Sequence, residues 1–269
     1  MFDYQNKDLA IDRRVDDLLG RMTLSEKAAQ TCMMRGVEYA TKPDPRQHCS
    51  VEPDTGFDEA SLSADFGSDG IGFIHDMYST PAAFNKIQNY FIGNSRLGIP
   101  AIFTGEALHG ISGVRGTVFP CPVNLGATFD PPLVRRIGEA IGRETRSLGM
   151  HEILAPNLDV AREPRWGRVE ETFGEDTYLS SRMAAAIVSG EQKGDISGLT
   201  PLSPNRSITA CTASPRAAPT APRRGPAAAK WKAAICPSLK PVSGKAAHGM
   251  SWSAITPWTA IRSCARNGI

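Results

Sequence analysis

The sequence predicts an α/β fold, with βα units around a parallel sheet over residues 1–195 and a C-terminal stretch of a different kind after them. Three observations carry that reading. Short apolar runs bounded by Gly and Pro alternate with longer patterns of helical period. The loops directly after two of those runs gather charged and aromatic residues, and in βα folds the chemistry sits at the strand ends. The third observation is a break in composition. The 269-residue chain has a net charge of +2. Residues 1–195 hold all 28 Asp and Glu against 20 Lys and Arg, a net of −8. Residues 196–269 hold 10 Lys and Arg and no acidic residue, with 15 Ala and 9 Pro. All 15 Phe and Tyr lie in the first segment, and three of the four Trp lie in the second.

Taken in order, the apolar residues at 11, 15, 18, 19 and 22 have helical spacing and predict a helix over 12–22. Thr23 followed by Glu26 three residues later is a capping-box signature and opens a second helix. Residues 40–68 are rich in Pro, Gly, Asp and Ser and read as loop. Residues 70–75 read as a short buried strand. Pro81 to Ile92 is helical, with Phe84, Ile87, Gln88 and Phe91 on one face. A strand over 99–104 leads into a polar loop running from Gly105 to Gly116. Pro131 to Leu148 is a long helix with Leu133, Ile137, Ile141 and Thr145 on one stripe. A strand over 152–156 is followed by a loop to about Asp176. Tyr178 to Gln192 closes the segment as a helix whose Met183, Ala186, Ile187 and Gly190 allow close packing.

Two strand-end loops stand out. One is Gly105-Glu106-Ala107-Leu108-His109-Gly110. The other runs from Asn157 to Arg168 and places Arg162, Arg165, Arg168 and Trp166 among carboxylates. A guanidinium can donate paired hydrogen bonds to hydroxyls or carboxylates, and an aromatic face suits a sugar ring. Plain structural roles account for many neighbouring residues. Arg162 and Arg165 read as partners for Glu163 or Glu170, and His109 as a packed loop residue. Glu170, Glu171, Glu175 and Asp176 suit the N-terminus of the next helix. Cys32, Cys49 and Cys121 show no paired metal spacing and read as free thiols.

The spaced strings are those of a known family. Gly98-Ile99-Pro100, Gly105-Glu106-Ala107-Leu108-His109-Gly110, Phe119-Pro120 and Leu125-Gly126-Ala127-Thr128-Phe129-Asp130 come first. Leu154-Ala155-Pro156-Asn157-Leu158-Asp159, Arg162-Glu163-Pro164-Arg165-Trp166-Gly167-Arg168 and Glu175-Asp176 follow. In this order they resemble glycoside hydrolase family 3, over about residues 8–195. The resemblance implies a partial (β/α)8 TIM-like barrel and hydrolysis of terminal β-linked glucose or xylose by a retaining two-carboxylate mechanism. It implies no cofactor and no metal, with a small oligosaccharide or glycoside as partner. Carried over by motif, Glu106 matches the acidic residue that binds sugar hydroxyls in the −1 subsite. Arg168 matches the Arg of that subsite. The family's Lys-His pair, its Asp nucleophile and its Glu acid/base have no match in this chain, so no catalytic residue is assigned. The expectation is a chain without turnover, the alternative a non-catalytic sugar-binding or interaction fragment.

The stretch 196–269 shows no periodicity beyond a turn and is expected to be irregular or disordered. Read one base back, Ser207 to Arg223 can spell Lys-His-Tyr-Cys-Val-His-Gly-Glu-Pro-Glu-Gly-Gly-Thr-Asn-Cys-Ala-Pro, similar to the family's Lys-His segment and the glycine-rich stretch after it. Ser251 to Ile261 can spell Leu-Val-Gly-Tyr-Asn-Ala-Leu-Asp-Gly-Tyr-Thr, similar to a later strand end. A shift of frame near residues 195–200 is therefore the preferred reading of the tail. Its scattered Lys and Arg form no stripe or module, so no nucleic-acid partner is expected. No run approaches eighteen apolar residues, so no membrane partner is expected. The polar N-terminus lacks a signal pattern, which predicts a cytoplasmic protein. The sequence leaves the oligomeric state open.

Overall fold

The computed structural model describes residues 2–47, 49–111 and 116–192, and the backbone of 206–207. Its frame is a five-stranded parallel sheet whose strands stand in chain order. The strands are β1 (Met33–Arg35), β2 (Phe73–His75), β3 (Ile102–Gly105), β4 (Glu152–Ile153) and β5 (Arg206–Ser207). The helices are α1 (Ile11–Arg21), α2 (Leu24–Ala29), α3 (Glu59–Phe66), α4 (Pro81–Asn94), α5 (Pro122–Gly126), α6 (Pro131–Ser147) and α7 (Thr177–Gln192). The α/β reading holds, and the order of strands and helices is that of a barrel wall.

Local chemistry sets most boundaries. The Thr23 hydroxyl accepts from the Glu26 N–H at 3.2 Å, and the Thr23 N–H donates to the Glu26 carboxylate at 2.7 Å, completing the capping box of α2. Pro81 and Pro131 sit in the first turns of α4 and α6, where a missing N–H costs nothing. Asp130 caps α6 by accepting from the Leu133 N–H at 3.0 Å. Gln88 on α4 treats the backbone of Ala101 as a strand would. Its amide donates to the Ala101 carbonyl and its carbonyl accepts from the Ala101 N–H, both at 3.0 Å.

The sheet has two unlike faces. Ile74 and Phe103 join the main core beneath the helices, with the Phe84 ring edge-on to Phe103 at 4.7 Å. Phe73 and Ile102, cross-strand partners in register, form a separate small cluster on the opposite face. By strand alternation His75, Thr104 and Glu106 share that second face. Met33, paired with Phe73, is 47% exposed there. Outside the sheet α6 and α7 cross very closely. A Cβ at Gly138 would lie 2.4 Å from the Ile187 carbonyl oxygen, and one at Gly190 would lie 2.1 Å from that of Arg135.

Several expectations need correction. The 40–68 segment is not all loop. It contains α3, capped by Asp58, which accepts from the Ala60 and Ser61 N–H groups at 3.1 and 3.2 Å. The cap signal was masked by the Ser- and Asp-rich composition. Strand β1 and helix α5 are too short for their periodicity to show. The buried stripe of α6 runs through Val134, Gly138, Ile141, Gly142 and Thr145 rather than through Leu133 and Ile137. Gly138 packs against the backbone of α7, which turns that side of the helix inward. Of the 196–269 stretch, the strand β5 pairs in parallel with β4, Glu152 opposite Arg206. The rest of that stretch lies outside the described residues.

Candidate functional site

The C-terminal ends of β1 to β4 bring together the polar groups of the sheet's second face. Glu106 follows β3 directly. Its N–H donates to the Tyr78 hydroxyl at 2.8 Å, which fixes the residue's backbone, and its side chain remains 40% exposed. Burial raises the Glu106 carboxyl above its ordinary value. The positive charge of Arg168 opposes that rise, while Glu171 and Asp76 add to it. Burial also holds the Tyr78 phenol up, so it stays a neutral donor and acceptor.

Arg168 lies at the end of the loop after β4, in front of a short 3-10 turn over Val169–Glu171. Its Nε donates to both Glu171 carboxylate oxygens at 2.8 Å, and its Nη2 reaches the same carboxylate. Asn157 Nδ2 donates to Glu171 Oε2 at 3.2 Å, and Asn157 Oδ1 accepts from the Asp159 N–H at 2.9 Å. The carboxylates of Glu171, Glu106 and Asp159 together hold the guanidinium firmly charged. The structure thus brings Glu106 and Arg168 into one electrostatic field, although they come from different strand-end loops.

Neighbouring expectations sort differently. Arg165 does pair with Glu163, at 2.8 and 2.9 Å, and pushes that carboxyl down to about 2. Asp176 caps α7 by accepting from the Leu179 N–H at 2.6 Å. Glu171 does not serve the helix terminus; it clamps Arg168, because the 3-10 turn points it back at the loop. Cys32, Cys49 and Cys121 are free thiols. Among the described residues no group of three or more His, Cys, Asp or Glu side chains could hold a metal ion. None of the described helices is long and apolar enough to cross a membrane.

Sequence reasoning missed His75, Asp76, Arg35 and Tyr78. His75 ends β2 and Asp76 follows it, so the strand-end rule that singled out Glu106 applies to them as well. They were passed over because they stand alone rather than in a charged run. His75 Nδ1 lies 2.8 Å from Asp76 Oδ1, and His75 Nε2 lies 4.0 Å from Glu106 Oε1. Arg35, at the end of β1, donates from Nε to Asp76 at 2.9 Å and from Nη1 to Glu38 at 2.8 Å.

Comparison with known proteins agrees with this layout. Residues 71–200 match the model of the glycosyl hydrolase family 3 N-terminal domain. A putative β-xylosidase of Formosa agariphila is 37% identical over 200 residues, which is 73% of this chain and 26% of that protein. A periplasmic β-glucosidase of Salmonella typhimurium is 34% identical over 184 residues, or 68% of this chain and 21% of that one. The crystal structure of a β-glucosidase from Listeria innocua in complex with glucose superposes with a TM-score of 0.61 at 30% identity. It covers 75% of this chain and 26% of its own. The chain therefore spans about a quarter of the length of these relatives. Over residues 71–200 the chain belongs to glycosyl hydrolase family 3, as part of that family's N-terminal domain.

Proposed function

We propose that the strand-end cluster is the hydroxyl-binding part of a sugar subsite in a β-glucosidase- or β-xylosidase-type hydrolase. The observation that carries this reading is that Glu106 and Arg168, from the loops after the neighbouring strands β3 and β4, lie near enough to act on each other's charge. A carboxylate accepts from sugar hydroxyls, and a guanidinium donates to their oxygens. Glu171 and Asn157 hold the guanidinium in place, and Tyr78 holds the backbone of Glu106, so the geometry exists before a ligand arrives.

Retaining hydrolysis also needs a nucleophile and an acid/base carboxylate roughly 5–5.5 Å apart. No residue of this chain matches either by motif. In this reading the 269-residue chain positions a sugar but does not cleave a glycoside. Isothermal titration with glucose and xylose should show binding by the purified chain, weakened about tenfold or more by Glu106→Gln. An aryl β-glucoside should not be turned over. Turnover that follows a carboxylate of this chain, or no sugar binding at all, overturns the reading.

For the 196–269 stretch we propose an origin in a shifted reading frame. Its loss of every acidic residue and its Ala, Pro and Arg content support that account. The nucleotide sequence from codon 190 onward tests it. A shifted frame that continues into further family motifs supports it, and one interrupted at once by stop codons sinks it.

A further inference from the structure

Three side chains of the strand-end cluster have no role in the sugar contacts described so far: Arg35, Asp76 and His75. They form one connected chain. Arg35 Nε donates to Asp76 Oδ2 at 2.9 Å, and His75 Nδ1 lies against Asp76 Oδ1 at 2.8 Å. Asp76 adopts a left-handed φ of 51°, which a non-glycine residue holds at a cost of about 1 kcal/mol or more. The Asp76 carbonyl accepts from the Val37 N–H at 3.0 Å, so backbone and side chain are both anchored to the β1 end.

A carboxylate against Nδ1 determines the tautomer of a neutral imidazole. The proton sits on Nδ1 and Nε2 keeps its lone pair. Burial and the nearby Arg35 favour that neutral form, and Asp76 works against them. Nε2 is shielded from solvent and has no hydrogen-bond partner among the described residues. It faces Glu106 Oε1 at 4.0 Å. Two acceptors at that separation cannot bond each other. One hydroxyl carries one proton and satisfies one of them, whereas two hydroxyls on adjacent carbons satisfy both. An unmet buried acceptor is costly, so a ligand that supplies the second proton is favoured over one that cannot.

We propose that His75 Nε2, positioned by Asp76 and Arg35, is a second hydroxyl acceptor that reads the sugar hydroxyl adjacent to the one bound by Glu106. The site thereby selects a vicinal diol. This inference rests on the sugar-subsite reading above.

The test is calorimetric titration of the purified 269-residue chain with glucose, xylose and a panel of monodeoxyglucoses. His75→Phe should weaken glucose binding about tenfold, and His75→Gln, which restores a carbonyl acceptor, should recover most of that loss. One monodeoxyglucose should bind the unaltered chain about tenfold more weakly, and His75→Phe should weaken it no further. In parallel, nitrogen-15 spectra of the unaltered chain should show the Nδ1-protonated tautomer, with the Nε2 resonance moving when glucose saturates the site. That measurement decides the matter even if His75→Phe fails to fold. Glucose binding that leaves the Nε2 resonance unmoved overturns the role of His75 and leaves the Glu106–Arg168 site standing. So does binding that His75→Phe leaves unchanged. No binding of any sugar by the unaltered chain overturns both.

Discussion

Alanine at Gly190 should destabilise the fold, although alanine is the better helix former. A Cβ there would sit 2.1 Å from the Arg135 carbonyl oxygen and 2.9 Å from the Glu139 nitrogen. Carbon contacts are comfortable only near 3.5–4.0 Å, so α6 and α7 would have to part by more than about 1 Å. Both obstacles are backbone atoms and cannot rotate aside. Overpacking of this kind costs about 1–3 kcal/mol, and two backbone clashes place Gly190 near the top of that range. The propensity gain of Ala over Gly returns about 1 kcal/mol. The net is a loss of about 2 kcal/mol, or about 4–8 °C in Tm for a chain of this size. Gly20 in α1 is the internal control, since a Cβ there meets nothing within 4 Å. Gly20 lies in the last turn of α1, where helix propensity counts for less than in the interior, so Gly20→Ala should gain up to about 1 kcal/mol from propensity alone. Thermal and urea unfolding followed by far-ultraviolet circular dichroism measures both variants. If Gly190→Ala proves as stable as the parent while Gly20→Ala gains, the close crossing of α6 and α7 is refuted.

Other outcomes follow from the charges. Arg96 pairs with the buried Glu26 carboxylate, holds it below its ordinary value and also donates to the Arg21 carbonyl at 2.8 Å. Arg96→Ala should lower the urea midpoint, because it leaves the buried Glu26 carboxylate without its partner; the loss is moderated because the guanidinium is half exposed. Glu26 is depressed in the folded state, so its contribution is present above pH 4.5 and is lost as the pH falls through the folded value. Arg96→Ala should flatten that acid limb. Two adjacent residues oppose each other across neutral pH. His151 accepts at Nδ1 from the Phe103 N–H at 3.1 Å and is pushed from 6.5 down to about 3, chiefly by burial. Glu152 is pushed from 4.5 up to about 8, again by burial. Between pH 3 and 6.5 the unfolded chain binds His151's extra proton, so stability rises with pH. Between pH 4.5 and 8 the folded chain keeps Glu152's proton, so stability falls with pH. Each slope is about 1.4 kcal/mol per pH unit, and the two cancel between pH 4.5 and 6.5. His151→Gln should leave a falling limb across that window, and Glu152→Gln a rising one, in urea midpoints collected against pH.

The sequence made α1 legible by its apolar stripe, α2 by its capping box, and α4, α6 and α7 by an apolar stripe together with a Pro or a cap. It made the barrel wall legible because the strand ends carry spaced motifs rather than isolated residues. Glu106 and Arg168 were visible for the same reason. The short elements were not visible. A strand of three residues such as Met33–Arg35 has no measurable period, and its existence depends on the ladder offered by Phe73–His75. The true inner stripe of α6 was hidden because glycine reads as a gap in hydrophobicity while serving as the point of closest contact. His75 and Asp76 were hidden because their importance lies in what they meet in space. Nothing in the local sequence announces that Arg35, forty residues earlier and one strand over, will hold Asp76 in place.

The agreement between strand order and chain order has a consequence for how the sheet assembles. Each strand from β2 to β5 pairs with the one made just before it, so its template already exists when it leaves the ribosome. Closure loops stay short, and the entropic cost of each pairing is met one βα unit at a time. The sheet can grow vectorially, like a wall laid course by course, with β1 as its fixed edge and the newest strand as its growing one. In such a scheme the early strands are rigid before the later ones arrive. Arg35 and His75 end β1 and β2 and Glu106 follows β3, so these three groups of the proposed site are already in position when the Arg168 loop folds.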